Sequence, residues 1–187
     1  VEPVRTFPLK KDLVTDVGWN YRVNQRIQPF TPRPYTDEEK AHVTERLATG
    51  NATPGGPEGE MRMQQVDVDR VQEFRKCIEC FLCQDVCHVL RDHEKTDDPS
   101  TEGGFYGPRF MIRVASLEMH PVDAADRVPL LRHEGGIGYC NITKCCTEVC
   151  PEHIHITDNG IIPMKERVAD RYYDPVQLLW RKVRGRK

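Results

Sequence analysis

Two cysteine-rich segments hold the side chains of this 187-residue chain that are best suited to chemistry. The first follows the pattern C-x-x-C-x-x-C-x-x-x-C and consists of Cys77, Cys80, Cys83 and Cys87. The second contains Cys140, Cys145, Cys146 and Cys150, and Pro151 follows directly. This spacing is typical of iron–sulfur cluster ligands, in which three thiolates surround one cluster and the fourth binds a neighbouring cluster.

An alignment of the two segments on their first and last cysteines pairs Cys80 with Thr143. If the fourth cysteine of each segment crosses over, the first cluster is a complete [4Fe–4S] site. Its predicted ligands are Cys77, Cys80, Cys83 and Cys150. The second cluster keeps only three thiolates, from Cys87, Cys140 and Cys146. A threonine hydroxyl is a poor iron ligand beside sulfur donors, so we predict a [3Fe–4S] cluster there, with Cys145 out of phase.

Structural zinc is an alternative, because paired C-x-x-C motifs also form tetrahedral Zn²⁺ sites. Zinc has no use for a third cysteine at the next C-x-x-C step, nor for the C-x-x-x-C-P run. A disulfide framework is a weaker interpretation, since closely repeated thiols beside predicted helices are more typical of metal ligands in a reducing compartment. The spacing therefore favours iron–sulfur clusters.

Composition indicates a polar protein with a small core, at 38% hydrophobic and 30% charged residues. Bound clusters would then supply folding free energy that apolar burial does not. A net charge of −2 argues against nucleic acid as the main partner. The sequence shows no apolar run long enough to cross a bilayer and no signal peptide at its start. It begins with Val1 rather than Met, so we expect a longer polypeptide.

The leading segment, residues 1–35, is predicted to pack a helix on the cluster-binding domain. Apolar residues recur at helical spacing over residues 10–21. Three prolines then exclude regular helix from residues 28–34.

Residues 36–60 are predicted to be a surface insertion. Thr36 and Glu39 form a capping-box pattern at the start of a polar helix that ends near Ala48. The glycines and prolines of residues 51–59 indicate a loop.

Residues 61–175 are predicted to form the cluster-binding domain. One helix over residues 66–76 leads into the first cysteine segment, and another begins at Pro108. A segment after Val122 is interrupted at Pro129, and a last helix covers residues 164–170. Almost no period-two alternation is present. The predicted fold class is therefore mainly α, an α-helical ferredoxin with two pseudo-symmetric halves, each a helix pair that presents a cysteine loop.

The C-terminal tail, residues 176–187, mixes apolar and basic side chains at helical spacing. Such a tail suits an anionic membrane surface or an acidic partner. A tail that is simply solvated by its charges is an equal alternative.

The chain resembles the C-terminal half of the iron–sulfur subunit of succinate dehydrogenase and fumarate reductase, most closely the actinobacterial form. The resemblance rests on the cysteine pattern with Thr143 and on four further motifs, which are Asp12-Leu13-Val14-Thr15-Asp16, Cys77-Ile78-Glu79-Cys80, Gly107-Pro108-Arg109 and Cys146-Thr147-Glu148-Val149-Cys150-Pro151. It covers nearly the whole chain outside the insertion.

This resemblance implies an electron-transfer subunit of respiratory complex II, which links the tricarboxylic acid cycle to the respiratory chain. In that family a flavoprotein subunit with FAD interconverts succinate and fumarate, and electrons then pass through [2Fe–2S], [4Fe–4S] and [3Fe–4S] clusters to a quinone at the membrane-anchor subunits. The implied location is peripheral, at the cytoplasmic face of the cell membrane. All eight cysteines lie at or after Cys77, so the N-terminal [2Fe–2S] domain is absent from this chain.

The resemblance also places four residues near a quinone by position, which are His88, Arg91, Asn141 and Ile142. Family members that use ubiquinone often have tryptophans shortly after the cysteine that matches Cys87. Here His88-Val89-Leu90-Arg91-Asp92 follows, so menaquinone is the expected quinone.

A related two-cluster module is the alternative function, such as those of heterodisulfide reductases or anaerobic glycerol-3-phosphate dehydrogenases. That module carries two complete [4Fe–4S] clusters. Cys145 would then have to take the role that the alignment gives to Thr143.

Overall fold

The computed structural model describes residues 1–49, 61, 63–92 and 104–184 of the chain. Short strands β1 (Leu9–Lys11) and β2 (Val14–Thr15) pair antiparallel near the start. The helices before the second cysteine segment are α1 (Gly18–Asn24), α2 (Asp37–Ala48), α3 (Gln65–Arg75), α4 (Leu82–Asp85), α5 (His88–Asp92), α6 (Pro108–Glu118) and α7 (Val128–His133). A 3₁₀ turn (Ile137–Tyr139), α8 (Cys145–Glu148), a π-helical turn (Ile156–Ile161), α9 (Ile162–Tyr172) and α10 (Pro175–Val183) follow.

Two helix pairs organise the fold, and each carries one cysteine loop. In the first half α3 packs on α6, and the loop with α4 lies between them along the chain. In the second half α7 packs on α9, and the loop with α8 lies between them. The two short helices α4 and α8 contact each other. The predicted mainly helical class is therefore confirmed, with a helix pair and a cysteine loop in each half.

The hydrophobic core lies where the π-helical turn meets α3, α6 and α9. Phe110, Met111 and Val114 of α6 are fully or almost fully buried there, as is Met164 of α9. Gly160 allows close packing in the π-helical turn, because a Cβ at that position would lie 3.3 Å from the Phe74 ring. Burial of these side chains fixes the helices that present the cysteine loops.

The helix predicted over residues 10–21 is wrong in its first half. Residues there form the β1–β2 hairpin, and α1 begins only at Gly18. Asp12 adopts a positive φ of 53° at the hairpin turn, and the Asp16 carboxylate accepts a hydrogen bond from the Gly18 N–H at 2.8 Å. These turn contacts compete with helix, since Asp side chains hydrogen-bond nearby backbone. Leu13 is 56% exposed, so the apolar spacing does not mark a buried face.

Other predicted boundaries agree well with the structure. Thr36 and Glu39 form the capping box, with reciprocal hydrogen bonds of 2.8 and 3.3 Å, and the polar helix ends at Ala48. The helices α3, α6 and α9 also lie close to their predicted ranges. Pro129 was predicted to interrupt a segment, but it lies in the first turn of α7, where proline needs no backbone N–H.

Two of the predicted boundaries, those of the insertion and of the C-terminal tail, stay predictions. Residues 50–60 lie outside the described part of the chain, so the extent of the insertion is untested. Residues 185–187 of the basic tail are also outside it, although α10 covers the tail's first part. Among the described residues, no helix has the length and apolar character that crossing a membrane requires.

A buried amide joins the first cysteine loop to the start of α6. Gln84 is fully buried, and its Nε2 donates to Asn20 Oδ1 at 2.8 Å and to the Tyr106 carbonyl at 3.3 Å. Gly107 adopts a φ of +88°, and a Cβ there would lie 2.0 Å from Gln84 Oε1. Only glycine allows this close approach.

Gly107→Ala should therefore destabilise the protein. Backbone strain and the clash with Gln84 together should lower the free energy of unfolding by about 2–4 kcal/mol. Gly104→Ala is the matched control, since a Cβ at Gly104 meets nothing within 4 Å. Chemical denaturation of the two variants would measure the difference. Equal stability would show that the approach of Gly107 to Gln84 is not a structural constraint.

Candidate iron–sulfur site

The two cysteine loops repeat the same backbone conformation 63 residues apart, the interval that separates Cys77 from Cys140. Phe81 and Lys144 occupy equivalent positions and have φ angles of 61° and 63°. Glu79 and Ile142 are also equivalent, with φ angles of 58° and 61°. Such conformations are uncommon for residues other than glycine, so their repetition identifies equivalent positions.

The short helices after these loops repeat the same hydrogen bonds. The Phe81 carbonyl accepts bonds from the backbone N–H groups three and four residues further on, and the Lys144 carbonyl does the same. This backbone alignment pairs Thr143 with Cys80 and places Cys145 opposite Leu82. Cys145 is therefore out of phase with the first segment in the structure, as it is in the sequence alignment.

One cavity, here called the first cavity, is lined by thiols from both segments. Its cysteines are Cys77, Cys80, Cys83 and Cys150. Three of them come from the first segment, and Cys150 comes from the end of the second. This is the set that the crossed pattern predicted for the first cluster.

Another cavity, here called the second cavity, contains the complementary crossing. Its cysteines are Cys87, Cys140, Cys145 and Cys146. Cys87 comes from the first segment, and Thr143 also lines the cavity. The Cys145 thiol lies 3.6 Å from the Thr143 hydroxyl. The two side chains that could bind a fourth iron atom are therefore neighbours in this cavity.

The buried thiols favour the protonated form. Burial raises the pKa of Cys77, Cys83, Cys87 and Cys146 above the usual range of a thiol. Neighbouring thiols from the other segment add to this, since Cys150 acts on Cys83 and Cys140 acts on Cys87. The Thr157 hydroxyl, 3.4 Å from the Cys146 sulfur, acts in the opposite direction. Ligand binding must therefore release protons from these thiols.

Both cavities fit an anionic sulfur-bridged cluster. Thiolates are the ligands that iron–sulfur clusters use. A left-handed residue next to right-handed helical residues, as Phe81 is before α4, turns successive backbone N–H groups toward one anion-binding nest. Arg109 lines the first cavity, and its buried Nε has no hydrogen-bond acceptor among the described residues. Within that part of the chain, no three or more His, Cys, Asp or Glu side chains are arranged to hold a single metal ion.

Comparison with known proteins identifies the domain that these cavities form. The 4Fe-4S dicluster domain family matches residues 73–154, which include every predicted ligand. In the solved structure of the Mycobacterium smegmatis Sdh1 complex in the apo form, one chain is 56% identical to this one. That match has a TM-score of 0.74 and covers 94% of this chain and 63% of the other.

Curated relatives agree. The fumarate reductase iron-sulfur subunit of Mycobacterium tuberculosis is 26% identical over 82% of this chain and 53% of its own length. The succinate dehydrogenase iron-sulfur subunit of Bacillus subtilis is 25% identical over 84% of this chain and 53% of its own length. The chain is similar to the iron–sulfur subunits of succinate dehydrogenase and fumarate reductase. It spans about half the length of these curated relatives.

Similarity to succinate dehydrogenase and fumarate reductase iron–sulfur subunits decides between the interpretations of the cysteine spacing. The dicluster match and the relatives' names support iron–sulfur clusters rather than structural zinc. They also favour this family over the two-[4Fe–4S] module that was the alternative. They leave open whether the second cluster holds three or four iron atoms.

The resemblance places four residues near a quinone, and the structure brings two of them, His88 and Asn141, into contact. The Asn141 amide lies 2.6 Å from His88 Nε2, and both side chains line the second cavity. Arg91 is exposed, and Ile142 is 39% exposed. The quinone contacts of all four residues stay predictions.

Sequence reasoning missed two polar side chains beside the cysteines of this chain. In the sequence, Arg109 belongs only to a motif shared with the resembled family. Because Arg109 lies far from Cys77 along the chain, the sequence did not indicate that both would line the same cavity. Thr157 follows Cys146 by 11 residues and is almost fully buried, so its proximity depends on the π-helical turn. Neither residue belongs to a recognisable ligand pattern.

The crossed pattern predicts which cavity each cysteine substitution affects. Cys150→Ser should remove iron from the first cavity, because the second cavity does not contain Cys150. Cys87→Ser should affect the second cavity instead. Electron paramagnetic resonance and iron content of the two purified variants would measure this. Cys145→Ser is the control and should leave both clusters in place, whereas loss of either cluster in it would contradict the alignment.

Proposed function

We propose that the chain is the iron–sulfur electron-transfer subunit of a succinate dehydrogenase or fumarate reductase. It would relay electrons between a flavoprotein subunit with FAD and a membrane quinone, while the dicarboxylate chemistry takes place on the flavoprotein subunit. The crossing of Cys150 into the first cavity and of Cys87 into the second is the observation that carries this proposal. The contact between α4 and α8, which joins the two cysteine segments, supports two neighbouring cluster sites.

Two iron–sulfur clusters would supply one-electron carriers at these cavities. The protein's own contribution is to hold the thiolates and to control the surroundings of each site. Phe81 is buried beside the first cavity and excludes water from that wall. The Thr157 hydroxyl contacts the Cys146 sulfur in the second cavity, and the Lys165 ammonium donates to the Cys140 carbonyl. These contacts fix the thiols and set the local charge.

We further propose a [4Fe–4S] cluster held by Cys77, Cys80, Cys83 and Cys150 and a [3Fe–4S] cluster held by Cys87, Cys140 and Cys146. The equivalence of Thr143 and Cys80 in backbone conformation supports this difference, because the second loop offers a hydroxyl where the first offers a thiol. Cys145 hydrogen-bonds to Thr143 rather than occupying the matching position.

The proposed partners are a flavoprotein subunit, one or more membrane-anchor subunits and a quinone, which we expect to be menaquinone. The proposed location is the cytoplasmic face of the cell membrane. Helix α10 supports a surface role, since Val176, Leu179, Trp180 and Val183 of this basic helix are all more than half exposed. The matched solved structure is of a complex, the Sdh1 complex of Mycobacterium smegmatis, which is the reason to propose partner subunits.

The cluster types are tested by spectroscopy of the oxidised protein. A three-iron signal in electron paramagnetic resonance, together with iron and acid-labile sulfide in the purified chain, is the expected result. Thr143→Cys supplies a thiol at the fourth corner and should convert the second cluster to [4Fe–4S], with loss of the three-iron signal.

Thr147→Cys is a matched control, because Thr147 lies near the second cavity but is not equivalent to a ligand. It should keep the three-iron signal. A wild-type protein that contains iron and sulfide but no three-iron signal would contradict the second cluster's assignment, and a protein without sulfide would contradict the proposed function itself.

A further inference from the structure

Arg109 places a buried positive charge beside the first cavity. It lies in the first turn of α6 and is only 4% exposed. Its side chain lines the cavity that contains Cys77, Cys80, Cys83 and Cys150. A guanidinium stays protonated even when buried, so this charge is permanent.

The contacts of Arg109 leave part of the guanidinium available to the cavity. Its Nη2 forms an ion pair with Glu79. The Phe81 and Tyr21 rings lie 5.2 and 5.5 Å from its Cζ and hold the group in place. The buried Nε–H has no acceptor among the residues that the structure describes. A buried donor without an acceptor is costly, so an anionic acceptor in the cavity would satisfy this group.

The Glu79 carboxylate only partly offsets this charge. Its side chain is 46% exposed, so solvent screens it more than it screens Arg109. The second cavity differs, because Ile142 occupies the position equivalent to Glu79. Lys144, which lines the second cavity, is half exposed and pairs with Asp158 at 2.8 Å. The two cavities therefore have different electrostatic surroundings.

We propose that Arg109 tunes the first cluster electrostatically, raising its reduction potential, while Glu79 opposes this effect. The inference rests on the proposed function, since it requires a cluster in the first cavity. Reduction adds one negative charge to a cluster, and a buried cation stabilises the more negative state. Arg109 is thus a positioning and tuning residue rather than a ligand, and its neighbour Glu79 supplies the opposing charge.

Redox titration followed by electron paramagnetic resonance tests this proposal on the purified complex. Arg109→Gln should lower the midpoint potential of the first cluster by the equivalent of a tenfold change in its one-electron reduction equilibrium, about 59 mV. Arg109→Lys keeps the cation and should retain most of the wild-type potential. Glu79→Gln should move the potential in the opposite direction. The potential of the second cluster should stay unchanged in all three variants.

Arg113→Gln is the matched control, because Arg113 lies one turn further along α6 and is exposed. It should leave the first potential unchanged. An Arg109→Gln potential equal to wild type, or an Arg109→Lys potential shifted as far as that of Arg109→Gln, would overturn the charge effect. If Arg109→Gln assembles no first cluster, Glu79→Gln decides, and an unchanged potential in that variant also overturns the proposal.

Failure of the proposed function gives a different result. A wild-type protein without iron and acid-labile sulfide has no potential to titrate, which contradicts the function before any variant is compared. A wild-type protein with both clusters and an unshifted Arg109→Gln variant contradicts only the role of Arg109.

Discussion

The exchange of one thiol between the two halves is the constraint on which the structure depends. Cys150 ends the segment after α8 yet lines the first cavity, and Cys87 follows α4 yet lines the second. Each cavity is therefore lined by cysteines from both halves. The contact between α4 and α8 holds the two halves together and so allows both crossings. A change in the relative position of the halves would therefore disrupt both cavities.

The cysteine loops adopt a conformation that the chain alone does not favour. Left-handed residues other than glycine cost roughly 1–2 kcal/mol each, and both loops contain two. Ile142 is the least favourable residue type for a left-handed conformation, because its branched Cβ crowds the backbone. Ligand binding is the term that offsets these costs, because it couples metal affinity to folding.

The sequence predicts the parts of this structure that depend on local patterns. Cysteine spacing predicted the thiols that line the first cavity and the crossing of Cys87 into the second, although the second also contains Cys145. The capping box of Thr36 predicted the start of α2. The turn at Asp12 was not predicted from the sequence, because the apolar residues beside Asp12 recur at helical spacing. The cavity position of Arg109 was not predicted either, for another reason. That position depends on packing of α6 against the first loop, which no pattern in the sequence records.

The leading segment, residues 1–35, also connects the two halves through hydrogen bonds near its start and near its end. Near its start, the Thr6 N–H and hydroxyl both hydrogen-bond Asp85 at the end of α4. Near its end, the carbonyls of Gln28 and Pro29 each accept a bond of 2.9 Å from Arg127, which is fully buried before α7. A buried guanidinium that loses its acceptors is strongly destabilising, so these bonds hold the segment firmly to the second half. The crossed thiols and the leading segment therefore both link the two halves. The separation of the two cavities, on which the rate of electron transfer between them depends, is therefore set by both.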